Sequence, residues 1–152
     1  MQAMSPRGAE RAVALTMRGL AVTFAVVGIL FIATPDGVIG TLDDVGDWFG
    51  SFPAGPATDE KFWLALGFAY MTVITGLAIV ISTDPRRYRP MLLVLAAGKT
   101  ASSFAAGAFF AFHREVFIYL ANFVVDASLI LVALGCWALL GRTEEVEARA
   151  PV

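Results

Sequence analysis

Two charged residues, Lys99 and Asp126, lie inside long apolar stretches of the sequence. A charge near the centre of a bilayer costs at least ~2.5–3.5 kcal/mol even on lenient insertion scales, so such a residue usually has a role. Only residues 113–116 separate the two stretches, and this link is too short for anything but an antiparallel hairpin. The two charges are therefore expected on neighbouring helices.

Counting outward from that turn places Ser103 level with Asp126, with Lys99 one helical turn, about 6 Å, farther along. Two side chains can together span the ~8–10 Å between packed helix axes. Side chains also tilt toward their own helix N-terminus, however, and here the N-termini point away from each other. The sequence leaves direct pairing open and predicts a polar patch inside the bundle, made of Lys99, Ser102, Ser103, Asn122 and Asp126.

This patch has several chemical interpretations. A buried ion pair or hydrogen-bond network can fix helix register without further function. The functional alternatives are a proton or ion relay, a site for a polar headgroup, and a polar anchor to a partner subunit. A Lys beside an Asp favours a neutralised pair over a cation site, which needs several spare oxygens.

His113 is the only histidine and is predicted at the outer end of the third apolar segment. It could serve as a single axial ligand to a haem or a chlorophyll-type pigment, but a bis-His haem is impossible within one chain that has one His. An interfacial residue is the simpler interpretation. No zinc or other metal site is expected, because His113 and Cys136 fall at opposite ends of the bundle. Nucleophile and phosphate-loop motifs are absent, so no catalytic residue is assigned and an enzyme is the less favoured class.

Three arginines, Arg86, Arg87 and Arg89, share one short link. Each basic residue near a membrane surface attracts anionic lipid by about 1 kcal/mol, so we predict anionic-lipid contact here. The simpler interpretation is a topology determinant. Another group, Asp43, Asp44 and Asp47, lacks the alternating oxygen spacing of a calcium loop and indicates a solvated acidic face.

The composition indicates what must position these residues. Of 152 residues, 58% are hydrophobic and only 16% charged, with a mean hydropathy of +0.73. A soluble domain carries about 25% charged residues, so we predict a single integral membrane domain over residues 1–152. The net charge of −2 argues against a nucleic-acid partner, and the lone Cys136 excludes an intramolecular disulfide. The sequence requires no cofactor.

Four apolar segments, at about 12–34, 62–82, 91–112 and 117–140, are long enough to cross a ~30 Å hydrocarbon core as helices. The first contains Arg18, which is expected to extend toward the headgroups, and it lacks a good cleavage site, so it is interpreted as an uncleaved helix. Between the first two, residues 38–49 have the spacing of an amphipathic surface helix. The predicted fold is all-α, an integral membrane four-helix bundle with a short interfacial amphipathic helix.

Basic residues in the links set the orientation. The N-terminal segment and the link of residues 83–90 are rich in Arg, whereas the link of residues 35–61 is acidic, with Asp59 and Glu60 near its end. Both termini are therefore predicted in the cytoplasm and the acidic loop outside.

The layout resembles the DoxX-like group of small bacterial four-helix membrane proteins. The resemblance is carried by Met17-Arg18-Gly19-Leu20, by Ala33-Thr34-Pro35-Asp36-Gly37-Val38-Ile39, and by Phe62-Trp63-Leu64-Ala65-Leu66-Gly67-Phe68. It implies a bacterial inner (plasma) membrane protein and, because some members are associated with quinone-linked redox chemistry, a link to quinones. No site residue is carried over from the group.

Three functions are compatible with these features. The first is a non-catalytic subunit or assembly or stabilising factor of a larger membrane complex, one handling electrons, pigments or quinones. The second is a small oligomeric transporter or channel subunit that uses Lys99 and Asp126. The third is a quinone- or lipid-linked membrane enzyme. The expected partners are the lipid bilayer and either membrane-protein subunits or further copies of the chain.

Overall fold

The computed structural model describes residues 5–56 and 61–149, with side chains up to residue 143. Within these ranges the chain forms helices and no strands: α1 (Pro6–Ala33), α2 (Pro35–Gly46), α3 (Lys61–Thr83), α4 (Arg89–Phe112) and α5 (Phe117–Arg149). Four of them, α1, α3, α4 and the Phe117–Thr143 part of α5, are long and apolar enough to cross a membrane. The predicted all-α, four-helix membrane bundle is confirmed.

Local capping explains where α1 and α2 depart from their predicted bounds. The Ser5 hydroxyl accepts a hydrogen bond from the Gly8 N–H at 3.2 Å and Pro6 occupies the first turn, so α1 begins six residues before the apolar run. Pro35 ends α1 and also opens α2, because proline fits the first turn of a helix. The surface helix therefore covers 35–46 and not 38–49, and residues 47–49 form a turn.

The membrane-spanning helices are arranged as two pairs, α1 with α3 and α4 with α5. In each pair a glycine allows close approach: Gly28 of α1 lies against Met71, and Gly107 of α4 lies against Phe123. The pairs meet along one hydrophobic core. Its largest members from the four helices are Met17, Phe24, Ile81, Leu92, Leu95 and Leu140.

The segment that follows α2 folds onto the beginning of α5. The Phe117 ring stacks on Phe49 with centroids 5.8 Å apart and tilts against Phe52 at 5.4 Å. The Gly55 N–H donates to Asp43 Oδ2 at 2.9 Å, which closes the loop onto α2. This end of the bundle is thus covered by its own aromatic cap; Asp59 and Glu60 of the acidic link lie outside the described residues.

The outward faces of the bundle carry large apolar side chains. Val22, Phe104 and Leu131 are 65%, 77% and 72% exposed. Such surfaces are unfavourable in water and match the hydrocarbon interior of a bilayer, so these faces are the lipid-contacting surface.

Candidate intramembrane ion-pair site

The structure brings Lys99 and Asp126 into direct contact. Lys99 Nζ lies 2.9 Å from Asp126 Oδ1, and the two side chains are 5% and 4% exposed. The sequence left this pairing open because the two side chains tilt in opposite directions. The flexible four-carbon stem of Lys99 overcomes that tilt and carries the ammonium across to α5.

Two aromatic rings cover the ammonium of Lys99. Nζ lies 5.0 Å from the ring centroid of Phe24 on α1 and 5.4 Å from that of Tyr70 on α3. Both distances are within the range of a cation–π interaction, which is strengthened where water is excluded. Lys99 of α4 therefore contacts the other three membrane-spanning helices, by an ion pair to α5 and by ring contacts to α1 and α3.

The remaining residues of the predicted patch fall into a buried part and an exposed edge. Ser103 is buried, and its hydroxyl donates to the Phe123 carbonyl at 3.0 Å. Asn122 is exposed and donates to the Ser102 hydroxyl at 3.4 Å, near the limit for a hydrogen bond. The α4–α5 contact is thus polar from Lys99 through Ser103, with a weaker link at its lipid-facing edge.

Phe24 and Tyr70 are the site residues that the sequence analysis missed. Each lies in an apolar segment without a motif, and only the packing of α1 and α3 against α4 shows that they cover Lys99. The Tyr70 hydroxyl is buried near Gly98 and has no hydrogen-bond partner in the described part of the chain. No sequence signal for its position is evident, because an isolated Tyr usually serves helix contacts.

The arginine-rich link is mostly engaged with the bundle itself. Arg86 forms an ion pair with Glu10 of α1. Arg89 Nε donates to the Trp137 carbonyl at 3.0 Å, and its guanidinium lies 4.5 Å from the Trp137 ring centroid. Arg87 is exposed. Lipid contact by the three arginines stays a prediction, and two of them also tie α4 and the link to α1 and α5.

His113 lies apart from the ion pair. It is exposed at the C-terminal end of α4, with its ring 6.5 Å from that of Phe109. Among the side chains that the structure describes, those of residues 5–56 and 61–143, no three His, Cys, Asp or Glu gather as a metal site would require. A role for His113 as a single axial ligand remains a prediction.

A groove of about 710 Å³ runs between the end of α1, α2 and the start of α5. Its walls are apolar apart from Thr34, Thr41 and Asn122. Both threonine hydroxyls donate to carbonyls of the preceding turn. The amide of Asn122 has only its 3.4 Å contact with the Ser102 hydroxyl, so it is the polar group most available to a molecule in the groove.

We compared the chain with protein-family models, curated proteins and solved structures, and none of them matches it. The resemblance to the DoxX-like group therefore remains a prediction from layout.

Proposed function

We propose that the protein is a non-catalytic integral membrane subunit, or a stabilising factor, of a larger membrane complex. The observation that carries this proposal is the closed Lys99–Asp126 pair, 2.9 Å long and covered by rings from two further helices. Both charges are neutralised where four helices meet. Buried polar contacts of this kind fix helix register.

A pathway for ions or protons would place different demands on the same residues. A transported species has to reach the charged group from water, whereas both side chains here are almost fully enclosed. The transporter alternative would require an oligomer in which copies open a path to Asp126. We therefore favour a scaffold whose functional contacts lie on its outer surface.

A quinone- or lipid-linked enzyme is the third alternative, and the groove beside Asn122 is the observation that favours it. An apolar groove whose most available polar group is one amide suits a molecule with a long tail and a polar head. Turnover of a quinone analogue by the purified protein in detergent would support this alternative. The subunit proposal expects none.

The proposal includes an orientation, with both termini in the cytoplasm, the loop of residues 35–61 outside, and a bacterial inner membrane as the location. Its support is the distribution of charge, since Arg7, Arg11, Arg86 and Arg89 gather at one end and the aspartates of α2 at the other. In a Cys136→Ala background, Ser51→Cys should react with a membrane-impermeant maleimide added outside intact cells. Arg87→Cys should react only after the cells are opened.

The decisive experiment is blue-native electrophoresis of gently solubilised native membranes, with mass spectrometry of everything that migrates with the chain. We expect one large band of fixed stoichiometry, weakened when Lys99→Ala is combined with Asp126→Ala. Migration alone or as a small homo-oligomer would contradict the proposal.

Liposome flux separates the transporter from the subunit. A transporter would show flux dependent on pH or membrane potential that Asp126→Asn abolishes without loss of folding. Asp47→Asn is the matched control, because Asp47 is exposed directly after α2, and it should leave such flux unchanged. For a subunit we expect no flux from the wild type or either variant.

A further inference from the structure

A row of arginines follows one side of α1. Arg7, Arg11 and Arg18 lie within roughly 40° of one another around the helix axis, given 3.6 residues per turn. All three are exposed. In the described part of the chain none of them has an ion-pair, hydrogen-bond or ring partner. This row is hereafter called the α1 arginine row.

Arg18 lies well inside the membrane-spanning part of the bundle. The Glu10–Arg86 ion pair marks the polar rim at this end. Arg18 is eight residues farther along α1, about 12 Å at 1.5 Å per residue. Exposed apolar side chains, Leu15 and Val22, flank it on the same outward face. A cation at this depth on a lipid-contacting surface is costly unless a counter-charge approaches it.

The direction of the side chains indicates where that counter-charge lies. Helix side chains tilt toward the helix N-terminus, so Arg18 is directed toward the polar rim and toward Arg11. Gly19 leaves open space beside it, because a Cβ added there would meet no atom within 4 Å. The guanidinium fork binds phosphate oxygens in a bidentate manner.

We propose that the α1 arginine row binds an anionic phospholipid of the cytoplasmic leaflet. The phosphate lies between Arg18 and Arg11, and the acyl chains follow the apolar face at Leu15 and Val22. A carboxylate from a partner helix would neutralise Arg18 alone. A phospholipid also accounts for the continuation of the row through Arg11 to Arg7, where headgroups lie. This inference rests on the proposed orientation of the chain and is independent of the proposed role as a subunit.

The test measures binding of phosphatidylglycerol to the full chain in neutral detergent by native mass spectrometry, with phosphatidylcholine and inorganic phosphate as comparison ligands. One basic residue contributes about 1 kcal/mol to anionic-lipid binding, which is roughly a fivefold change in affinity. Arg18→Gln should therefore weaken phosphatidylglycerol binding at least fivefold. Arg18→Lys should weaken it less than Arg18→Gln does, because the charge remains although the bidentate fork is lost.

The matched control is Arg142→Gln, which removes an exposed arginine from α5 near the same end of the bundle. It should change phosphatidylglycerol binding less than Arg18→Gln does. Thermal unfolding of each variant in detergent shows whether a loss of binding reflects loss of folding. If Arg18→Gln does not fold, Arg18→Lys is compared with the wild type in its place.

Four results would overturn the proposal. The first is equal binding of phosphatidylglycerol and phosphatidylcholine by the wild type, and the second is equal losses in Arg18→Gln and Arg142→Gln. The third is unchanged lipid binding in Arg18→Gln together with loss of a co-migrating protein, which would assign Arg18 to a partner helix. The fourth is binding of free phosphate as tight as that of phosphatidylglycerol, which would show that the site recognises the phosphate group and not the lipid.

Discussion

The two helix pairs are held together by different kinds of contact. Between α4 and α5, polar groups reach across: Lys99 to Asp126, the Ser103 hydroxyl to the Phe123 carbonyl, and Arg89 to the Trp137 carbonyl. Between α1 and α3 the contact is apolar and close, with Gly28 against Met71. The hydroxyls of that pair, such as those of Thr72 and Thr75, donate to carbonyls of their own helix.

This difference shows two ways of packing helices in lipid, where the hydrophobic effect does not drive the helices together because the lipid tails are equally apolar. Cross-helix polar contacts are directional and can form at only one offset, so they determine register. Close packing around a small residue contributes dispersion energy along the whole contact between the helices. Where backbone or Cβ atoms touch, these atoms cannot move aside, so added side-chain volume is destabilising. We therefore expect α4–α5 to be sensitive to charge and α1–α3 to be sensitive to volume.

The largest effect should come from removing one partner of the ion pair. Asp126→Ala leaves the Lys99 ammonium buried and unpaired, which costs about 3–5 kcal/mol of unfolding free energy. The double replacement Lys99→Met with Asp126→Leu removes both charges at similar volume and should recover most of that loss. Denaturant unfolding in detergent micelles measures both. A double variant as unstable as Asp126→Ala would show that the pair contributes net stability, not only register.

Volume should dominate in the other pair. A Cβ at Gly28 would lie 3.0 Å from Met71 Cβ, an atom that cannot move without its backbone, so Gly28→Ala should cost about 1–3 kcal/mol. At Gly107 the added Cβ would meet the Phe123 ring at 2.9 Å, and that exposed ring can rotate away, so Gly107→Ala should cost less. Gly76→Ala of α3 is the control, because its Cβ would meet nothing within 4 Å. Equal losses at Gly28 and Gly107 would contradict the contrast between the pairs.

Much of this contrast could be predicted from the sequence for one pair and little of it for the other. The charges at Lys99 and Asp126, within two apolar segments joined by four residues, were enough to predict a polar patch between α4 and α5. Phe24 and Tyr70 carried no signal, because their role depends on which helices meet, and that is decided by packing over the whole bundle. The spans followed from apolar length, whereas the start of α1 depended on the local cap at Ser5. The ion-pair and hydrogen-bond partners of Arg86 and Arg89 could not be predicted from the sequence, because they depend on the tertiary arrangement.

A smaller loss is expected from single hydrogen bonds across α4–α5. Interhelical hydrogen bonds in membrane proteins average about 0.6 kcal/mol, so Ser103→Ala should lower the unfolding free energy by about that amount. Ser102→Ala is the comparison, because its contact with Asn122 is 3.4 Å long and lies at an exposed edge. Its effect should be smaller than that of Ser103→Ala. If Ser102→Ala were the more destabilising variant, the exposed edge and not the buried part would hold the register.

No loss of stability is expected at the boundary between the two kinds of contact. Tyr70 belongs to the apolar α1–α3 pair, but its ring lies beside Lys99 of the ion pair. Its buried hydroxyl has no hydrogen-bond partner among the described residues. Removing an unsatisfied buried hydroxyl relieves its desolvation penalty, so Tyr70→Phe should leave stability unchanged or raise it by up to about 1 kcal/mol. The ring that covers Lys99 is retained in this variant, whereas Tyr70→Leu removes the ring and should be destabilising. A clear loss of stability in Tyr70→Phe would mean that the hydroxyl is hydrogen-bonded in the membrane, and the polar network would then extend from α4–α5 into α3.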